Sequence, residues 1–312
     1  MMKKLSIVVP VWNEQETVPL FLETMNKIHR EYLSKYAFEY WFIDDGSKDG
    51  TLNVLRQEQA KNPEEVHYVA FSRNFGKEAG LYAGLEQATG EYVVVMDVDL
   101  QDPPELLPEM LAGVESGEWD AVGTRRVSRA GEPIVRTFFS ELFYKLVNKI
   151  SNTQIVQDAR DYRVMSRQMV DALLLMTEYN RFSKGMFSWV GFRQKYLAFE
   201  HRDRVAGQTS WSFWALFKYS IEGIVAFSQV PLAVVSLLGL ISFVASIFGA
   251  LAIIIRAVVV TNSSVAGWPS MVVIMLFIGG IQLLSLGVVG RYISSIYLEV
   301  KKRPIYIARE KK

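Results

Sequence analysis

Two long stretches near the C-terminus, 230–255 and 270–290, carry no charged residue. At ~1.5 Å of rise per residue, each is long enough as a helix to cross a hydrocarbon layer ~30 Å thick. Between 223 and 298 the charged side chains are Arg256 and Arg291 alone, whereas 1–222 is rich in both signs. A chain divided in this way folds as a water-soluble body joined to two lipid-facing helices. A helical hairpin buried in a large core is the competing account, and two uninterrupted runs of this length weigh against it. Gly267-Trp268-Pro269 separates the runs. Arg291 and Lys301-Lys302-Arg303 flank the second run, while the connecting 257–270 has no charge. The positive-inside rule therefore places both termini and the soluble body in the cytoplasm, with the chain integral to the inner membrane.

The remaining composition mostly excludes. With no cysteine, disulfides, zinc–thiolate sites and cysteine nucleophiles are ruled out. Three histidines without paired spacing give no zinc-enzyme pattern. A net charge of +1 lacks the basic excess of a nucleic-acid partner. The start, Met1-Met2-Lys3-Lys4 and a short apolar run, superficially resembles a secretion signal, but it meets Pro10 and Asn13-Glu14 too soon. It reads as a first β-strand.

From there strand-like and helix-like patterns alternate. Strands are expected at 5–11, 40–43, 66–71, 92–96 and 120–123, and helices at 17–33, 51–59, 76–88 and 103–116. In the first helix Leu20, Phe21, Met25 and Ile28 are expected on one face. This rhythm predicts an α/β fold with a Rossmann-like, mostly parallel sheet. Such sheets bind ligands beyond the carboxyl ends of their strands. Here those ends are polar one after another: Asn13 and Glu14, Asp44 and Asp45, Arg73 and Asn74, Asp97 and Asp99, then Arg125.

The fourth end is the most informative. Tyr92-Val93-Val94-Val95-Met96 runs into Asp97-Val98-Asp99-Leu100-Gln101-Asp102-Pro103-Pro104. Asp is a poor strand residue. Two carboxylates at i and i+2 where a strand opens into a loop can face one hard cation, Mg²⁺ or Mn²⁺, bridged to phosphate. For Asp102, before Pro103, capping of the next helix is the plainer expectation. No Walker A stretch and no GxGxxG occurs, so a nucleotide here is held by a metal and acids, as in nucleotide-sugar chemistry.

Val9-Pro10-Val11-Trp12-Asn13-Glu14, Asp44-Asp45-Gly46-Ser47, Ser72-Arg73-Asn74-Phe75-Gly76-Lys77 and Met96-Asp97-Val98-Asp99-Leu100-Gln101 together resemble the family-2 glycosyltransferases of GT-A fold. More narrowly they resemble the polyisoprenyl-phosphate glycosyltransferases, the group of dolichol-phosphate mannose synthase and bacterial undecaprenyl-phosphate glucosyltransferases. The resemblance implies that Asp44 and Asp45 hold base and ribose, with Pro10, Asn13, Glu14, Asn74, Lys77 and Val98 lining the nucleotide-sugar site. It implies Asp97, Asp99 and Gln101 as the metal and diphosphate site.

Asp161-Tyr162-Arg163-Val164-Met165 looks like the family's segment bordering the active site, and 202–211 like its Arg-x-x-Gly-x-Ser-Lys-aromatic element. In the latter Thr209 stands for the serine and Ser210 for the lysine, which leaves Arg204 as the phosphate ligand. Arg125, Arg163 and Arg204 are then the acceptor-phosphate residues. Asp161 is the candidate base, or the residue that orients the acceptor. Segments 136–150 and 210–227, with apolar and aromatic residues at helical spacing, fit in-plane interfacial helices.

The expected division is 1–135 for the nucleotide-sugar core, 136–228 for the acceptor and interface segment, 229–292 for two membrane helices and 293–312 for a basic tail. The expected reaction is inverting, metal-dependent transfer of one sugar, from a UDP-sugar by preference, to polyprenyl phosphate; relatives imply a homo-tetramer. A processive polysaccharide synthase would carry a Gln-x-x-Arg-Trp motif, which is absent here. A membrane-anchored nucleotidyltransferase and a non-enzymatic scaffold for nucleotide sugars also compete with this expectation.

Overall fold

The computed structural model describes residues 2–127, 145, 148–149, 154–200, 221–259 and 267–312. Strands β1 (Lys3–Val11), β2 (Tyr36–Asp44), β3 (Val66–Phe71) and β4 (Tyr92–Val95) alternate with helices α1 (Thr17–Tyr32), α2 (Thr51–Lys61) and α3 (Lys77–Gln87). After β4 come a 3-10 turn (Pro104–Leu106), α4 (Leu107–Glu115), β5 (Ala121–Arg126) and β6 (Ala159–Ser166). Then follow α5 (Arg167–Leu174), α6 (Ser183–Trp189), β7 (Gln194–Phe199), α7 (Val230–Val259), α8 (Trp268–Val300) and β8 (Ala308–Lys311).

Eight strands form one mixed, mostly parallel sheet in the order β7-β5-β6-β4-β1-β2-β3-β8. Strands buried on both faces should read as continuous β-branched runs, and Val93, Val94 and Val95 are fully buried. Alternate residues serve opposite layers. Leu5, Ile7 and Val9 pack with Phe21 and Met25 of α1 and Met110 of α4. Val8, Val93 and Val95 pack with Leu81 of α3 and Met186 of α6. A Cβ on Gly84 would come within 2.1 Å of Val8 Cγ1, so its absence lets α3 lie directly on β1.

Three sequence expectations change. In α1 the buried face is Val18, Phe21, Leu22, Met25 and Ile28, and Leu20 points outward at 40 % exposure. The expected 103–116 helix is divided, because Pro104 opens a 3-10 turn before α4 begins. The basic tail is not a free tail. Residues up to Val300 continue α8, and Ala308–Lys311 pairs antiparallel with β3. Tyr306 stacks on Phe71 at 4.9 Å, and Glu310 accepts hydrogen bonds from Arg56 and Tyr68.

Two helical segments, Val230–Ile253 and Met271–Val300, are long and apolar enough to cross a membrane, and they are not buried within the protein. Phe248 is 66 % and Leu283 72 % exposed. The pair leaves the soluble body and returns to it. Tyr292 Oη donates to the Ser228 carbonyl at 2.6 Å, Glu299 accepts the Tyr179 and Asn180 N–H groups, and the chain then re-enters the sheet as β8. Both ends of the hairpin therefore lie on the same side as the sheet.

Candidate active site

β1, β2, β3 and β4 are parallel neighbours, so their carboxyl ends share one edge. β6 runs antiparallel to β4 and to β5. This brings the end of β5 and the beginning of β6 to that same edge. From sequence, 157–167 is a charged segment of undefined form; as a strand running the other way, it delivers Asp161 to the site by its amino end. The ladder pairs Val95 with Arg163. Two residues farther, the same register sets Asp97 of the β4 end opposite Asp161.

Two carboxylates so placed repel unless a cation intervenes. Lys77, the first residue of α3, supplies it. Its Nζ lies 2.7 Å from Asp97 Oδ1 and 2.6 Å from Asp161 Oδ2. Burial pulls the Lys77 pKa down, but the Asp161 and Asp97 charges outweigh it and hold the ammonium above its usual range. Burial pushes Asp161 up, yet Lys77, Lys184 and Arg163 hold its carboxyl below the ordinary range. At an effective dielectric of ~20, a contact at about 4 Å contributes on the order of 4 kcal/mol before desolvation, which favours the charged forms of Lys77 and Asp161.

The loops at the other strand ends hold this cluster up. Asp45 accepts the Phe75 and Gly76 N–H groups at 2.6 and 2.9 Å, which fixes the loop leading into Lys77. Burial pushes Asp45 up to about 6 against the pull of those bonds, and burial also raises Asp44, which accepts the Ser47 N–H. Gly46, at φ +68°, lies so near the Arg73 backbone that a Cβ would stand 2.6 Å away. Asn13, itself at φ 57°, accepts the Lys48 N–H through Oδ1 and donates its own N–H to Ser47. Glu14 accepts from the Thr17 hydroxyl at 2.6 Å.

Asp99 is 5 % exposed and accepts the Gln101 N–H through Oδ1, shaping the turn that carries both. Pro10 and Gln101 are half-buried, Asn74 is exposed, and Val98 is buried at 3 % exposure. Asp97 and Asp99 offer the oxygen donors a hard divalent ion takes. No group of three or more His, Asp or Glu side chains forms a metal cage among the described residues. Magnesium commonly takes one or two carboxylates and completes its shell with substrate phosphates and water, and the residues present fit an ion held in that way.

Two expectations are corrected. Asp102 caps no helix: the following turns have no side-chain cap, and Asp102 is instead 1 % exposed with Oδ1 2.9 Å from Arg160 Nε. Arg163 is no free phosphate ligand. It is 1 % exposed, lies 3.6 Å over the Phe187 ring and donates to the Asp161 and Arg160 carbonyls. Burial lowers its pKa, the cost of enclosing a guanidinium. Arg125 is exposed at the end of β5. Arg204, the element at 202–211, and nearly all of 136–150 and 210–220 lie outside the described residues.

The sequence pattern did not reveal Arg160, Lys184 or Glu78, which accepts from the Ser183 N–H and hydroxyl. A strand assignment for 159–166 would have flagged Arg160, because it places Arg160 beside Asp161 at the edge.

Residues 6–174 match the glycosyl transferase family 2. The chain is 41 % identical over 310 residues to the prophage bactoprenol glucosyl transferase homolog of Escherichia coli K12, covering 99 % of each. It is 42 % identical over 312 residues to the bactoprenol glucosyl transferase of Shigella phage SfX, covering 99 % of this chain and all of that one.

This chain belongs to glycosyl transferase family 2.

Among solved structures, the mannosyltransferase PcManGT from Pyrobaculum calidifontis covers 96 % of this chain and 85 % of its own, at 18 % identity and a TM-score of 0.51. At that identity the likeness is one of fold, and it agrees with the GT-A arrangement described above. In this family-2 glycosyltransferase the polar strand ends share one edge of the sheet, and the Lys77 contacts to Asp97 and Asp161 lie on that edge.

Proposed function

We propose that this glycosyltransferase moves one sugar from a nucleotide-sugar, a UDP-sugar such as UDP-glucose, to the phosphate of a membrane polyprenol at the cytoplasmic face. The observation that carries the reading is the meeting of Asp97, on the donor side, with Asp161, on the acceptor side, at one ammonium, in a body whose two apolar helices leave and return on the same side. The relatives named as bactoprenol glucosyl transferases, matched over their whole length, support the lipid acceptor and glucose. Arg291, Lys301, Lys302 and Arg303 beside the second apolar run support the cytoplasmic placement.

A polyprenyl phosphate is a monoester with a second pKa of ~6, so its oxygen is already ionised near neutrality. In-line attack forms the bond from that oxygen to the anomeric carbon as the bond to the nucleotide diphosphate breaks, inverting the centre. No proton has to be removed from the nucleophile, so Asp161 orients the acceptor through Lys77 and its neighbours rather than serving as an obligatory base. Lys77, between the two sides, offers positive charge to the departing diphosphate and to the incoming phosphate. Arg125 and Arg204 are the exchangeable acceptor-phosphate ligands of this scheme.

Mg²⁺ or Mn²⁺ held by Asp97, Asp99 and Gln101 would neutralise charge on the leaving diphosphate; the mannosyltransferase of like fold was solved with GDP-Man and Mn²⁺.

The test is incubation of the purified protein with labelled UDP-glucose, UDP-GlcNAc or GDP-mannose and undecaprenyl phosphate. One donor should yield organic-extractable label. Label that stays aqueous with every donor would refute the proposal.

A further inference from the structure

Near the Lys77 cluster lies an ion pair, Asp102 with Arg160, to which the transfer scheme proposed above gives no role. Asp102 lies near the end of the loop that leaves β4, and Arg160 is the second residue of β6, immediately before Asp161. Their contact of 2.9 Å joins loop to strand beyond the last ladder pair, Val95 with Arg163. Asp102 is 1 % exposed, and its Oδ2 is buried without a hydrogen-bond partner among the described residues. Arg160 is braced from the other side. Its carbonyl accepts from Arg163 at 3.0 Å, and Arg163 is held over the Phe187 ring.

Stability is a weak reason for such a pair. Apolar residues of similar volume often replace a buried ion pair with no loss, whereas removing one partner alone is costly. Placement is the better reason. The loop near whose end Asp102 lies carries Asp97, Asp99 and Gln101, and β6, whose second residue is Arg160, carries Asp161. A pair bonded at both bases sets the separation of the two sides while Lys77 spans the gap between them.

We propose that the Asp102–Arg160 ion pair is a positioning device that sets the donor-side carboxylates Asp97 and Asp99 in register with Asp161 on the acceptor side. The inference rests on the transfer reaction proposed above.

Four variants test it: Arg160→Met, Asp102→Leu, the double Asp102→Leu/Arg160→Met, and Arg160→Lys. Three readouts are taken in detergent: thermal midpoint, the Mn²⁺ concentration giving half of the UDP-induced midpoint shift, and kcat at saturating donor and undecaprenyl phosphate. Each single apolar variant should lose thermal stability, and the double should regain most of it. The double should still turn over at least about tenfold more slowly and need several-fold more Mn²⁺, because misplacement by ~1 Å can cost a hundredfold in rate. Arg160→Lys keeps the charge and loses the fork, so it should fold normally with kcat reduced several-fold.

A stable double variant with wild-type kcat and wild-type Mn²⁺ response would overturn the proposal. If the double fails to fold, Arg160→Lys decides: unchanged kcat and Mn²⁺ response in that variant overturn it. The two readings fail separately. Wild-type protein that forms no lipid product refutes the reaction, while a raised Mn²⁺ requirement in the variants still supports the pair.

Discussion

Lys77 Nζ lies 2.6 Å from Asp161 Oδ2, and this contact joins residues from the third and sixth strand regions that have no sequence proximity. The same ammonium reaches Asp97 at 2.7 Å. The proposed transfer brings a charged donor and a charged acceptor together, and in that scheme the cation between the two carboxylates serves both. Lys77→Met should therefore reduce sugar transfer by about a hundredfold or more while the far-ultraviolet circular dichroism stays unchanged. Lys77→Arg should retain part of the activity. A folded Lys77→Met protein with full transfer would remove Lys77 from the mechanism.

Asp45 gives a pH prediction with a definite sign. Its folded-state pKa of about 6 lies above its ordinary value of 3.8, so between these values the folded state binds more protons than the unfolded state. Stability from this group is then present in full below pH ~4 and is lost as pH rises through about 6. At roughly 1.4 kcal/mol per pKa unit, the full effect is at most about 3 kcal/mol. Asp45→Asn should be more stable than wild type at pH 7.5, and the difference should shrink toward pH 5 in thermal scans.

The sheet's parallel core and the carboxylate pair at the end of β4 were legible because each rests on local pattern: valine runs, a period of two, and acids where a strand stops. What stayed hidden depended on chain direction. Residues 159–166, with Arg160 and Asp161 adjacent and Val164 beside Met165, show no period of two, and nothing local marks them as a central antiparallel strand. Arg163 read as a phosphate ligand for that reason, although its strand position turns it inward over Phe187. Asp102 misled in a similar way. Asp before Pro-Pro has the local form of a helix cap, but its partner Arg160 lies 58 residues away in sequence. Asp97 and Asp99 follow the end of β4, and their role toward a metal belongs to the proposed function.

The C-terminal strand supplies a stability prediction. The Arg56–Glu310 pair is part-exposed and adds little, but Glu310 also accepts from the buried Tyr68 hydroxyl, so Glu310→Ala should cost about 1–2 kcal/mol. Removing 305–312 also takes Tyr306 from Phe71 and opens the β3 edge. That truncation should cost about 2–3 kcal/mol more and favour aggregation. Unfolding midpoints and size-exclusion profiles of the two variants compare them directly.

Because the chain has no cysteine, single cysteines report its orientation without background. Ser264→Cys, between the two apolar helices, should react with a membrane-impermeant maleimide in intact cells. Lys312→Cys should react only after permeabilisation. The reverse pattern would place the sheet on the outer face and contradict the proposed cytoplasmic donor site.

The most direct measurement is the mass spectrum of undecaprenyl phosphate recovered after incubation with the protein, nucleotide-sugar and Mn²⁺, alongside Asp97→Ala and a chelator-treated control. The account predicts a single added sugar per lipid with wild-type protein, and unmodified lipid with Asp97→Ala and after metal removal. A ladder of added sugars, or full conversion by folded Asp97→Ala, would contradict it.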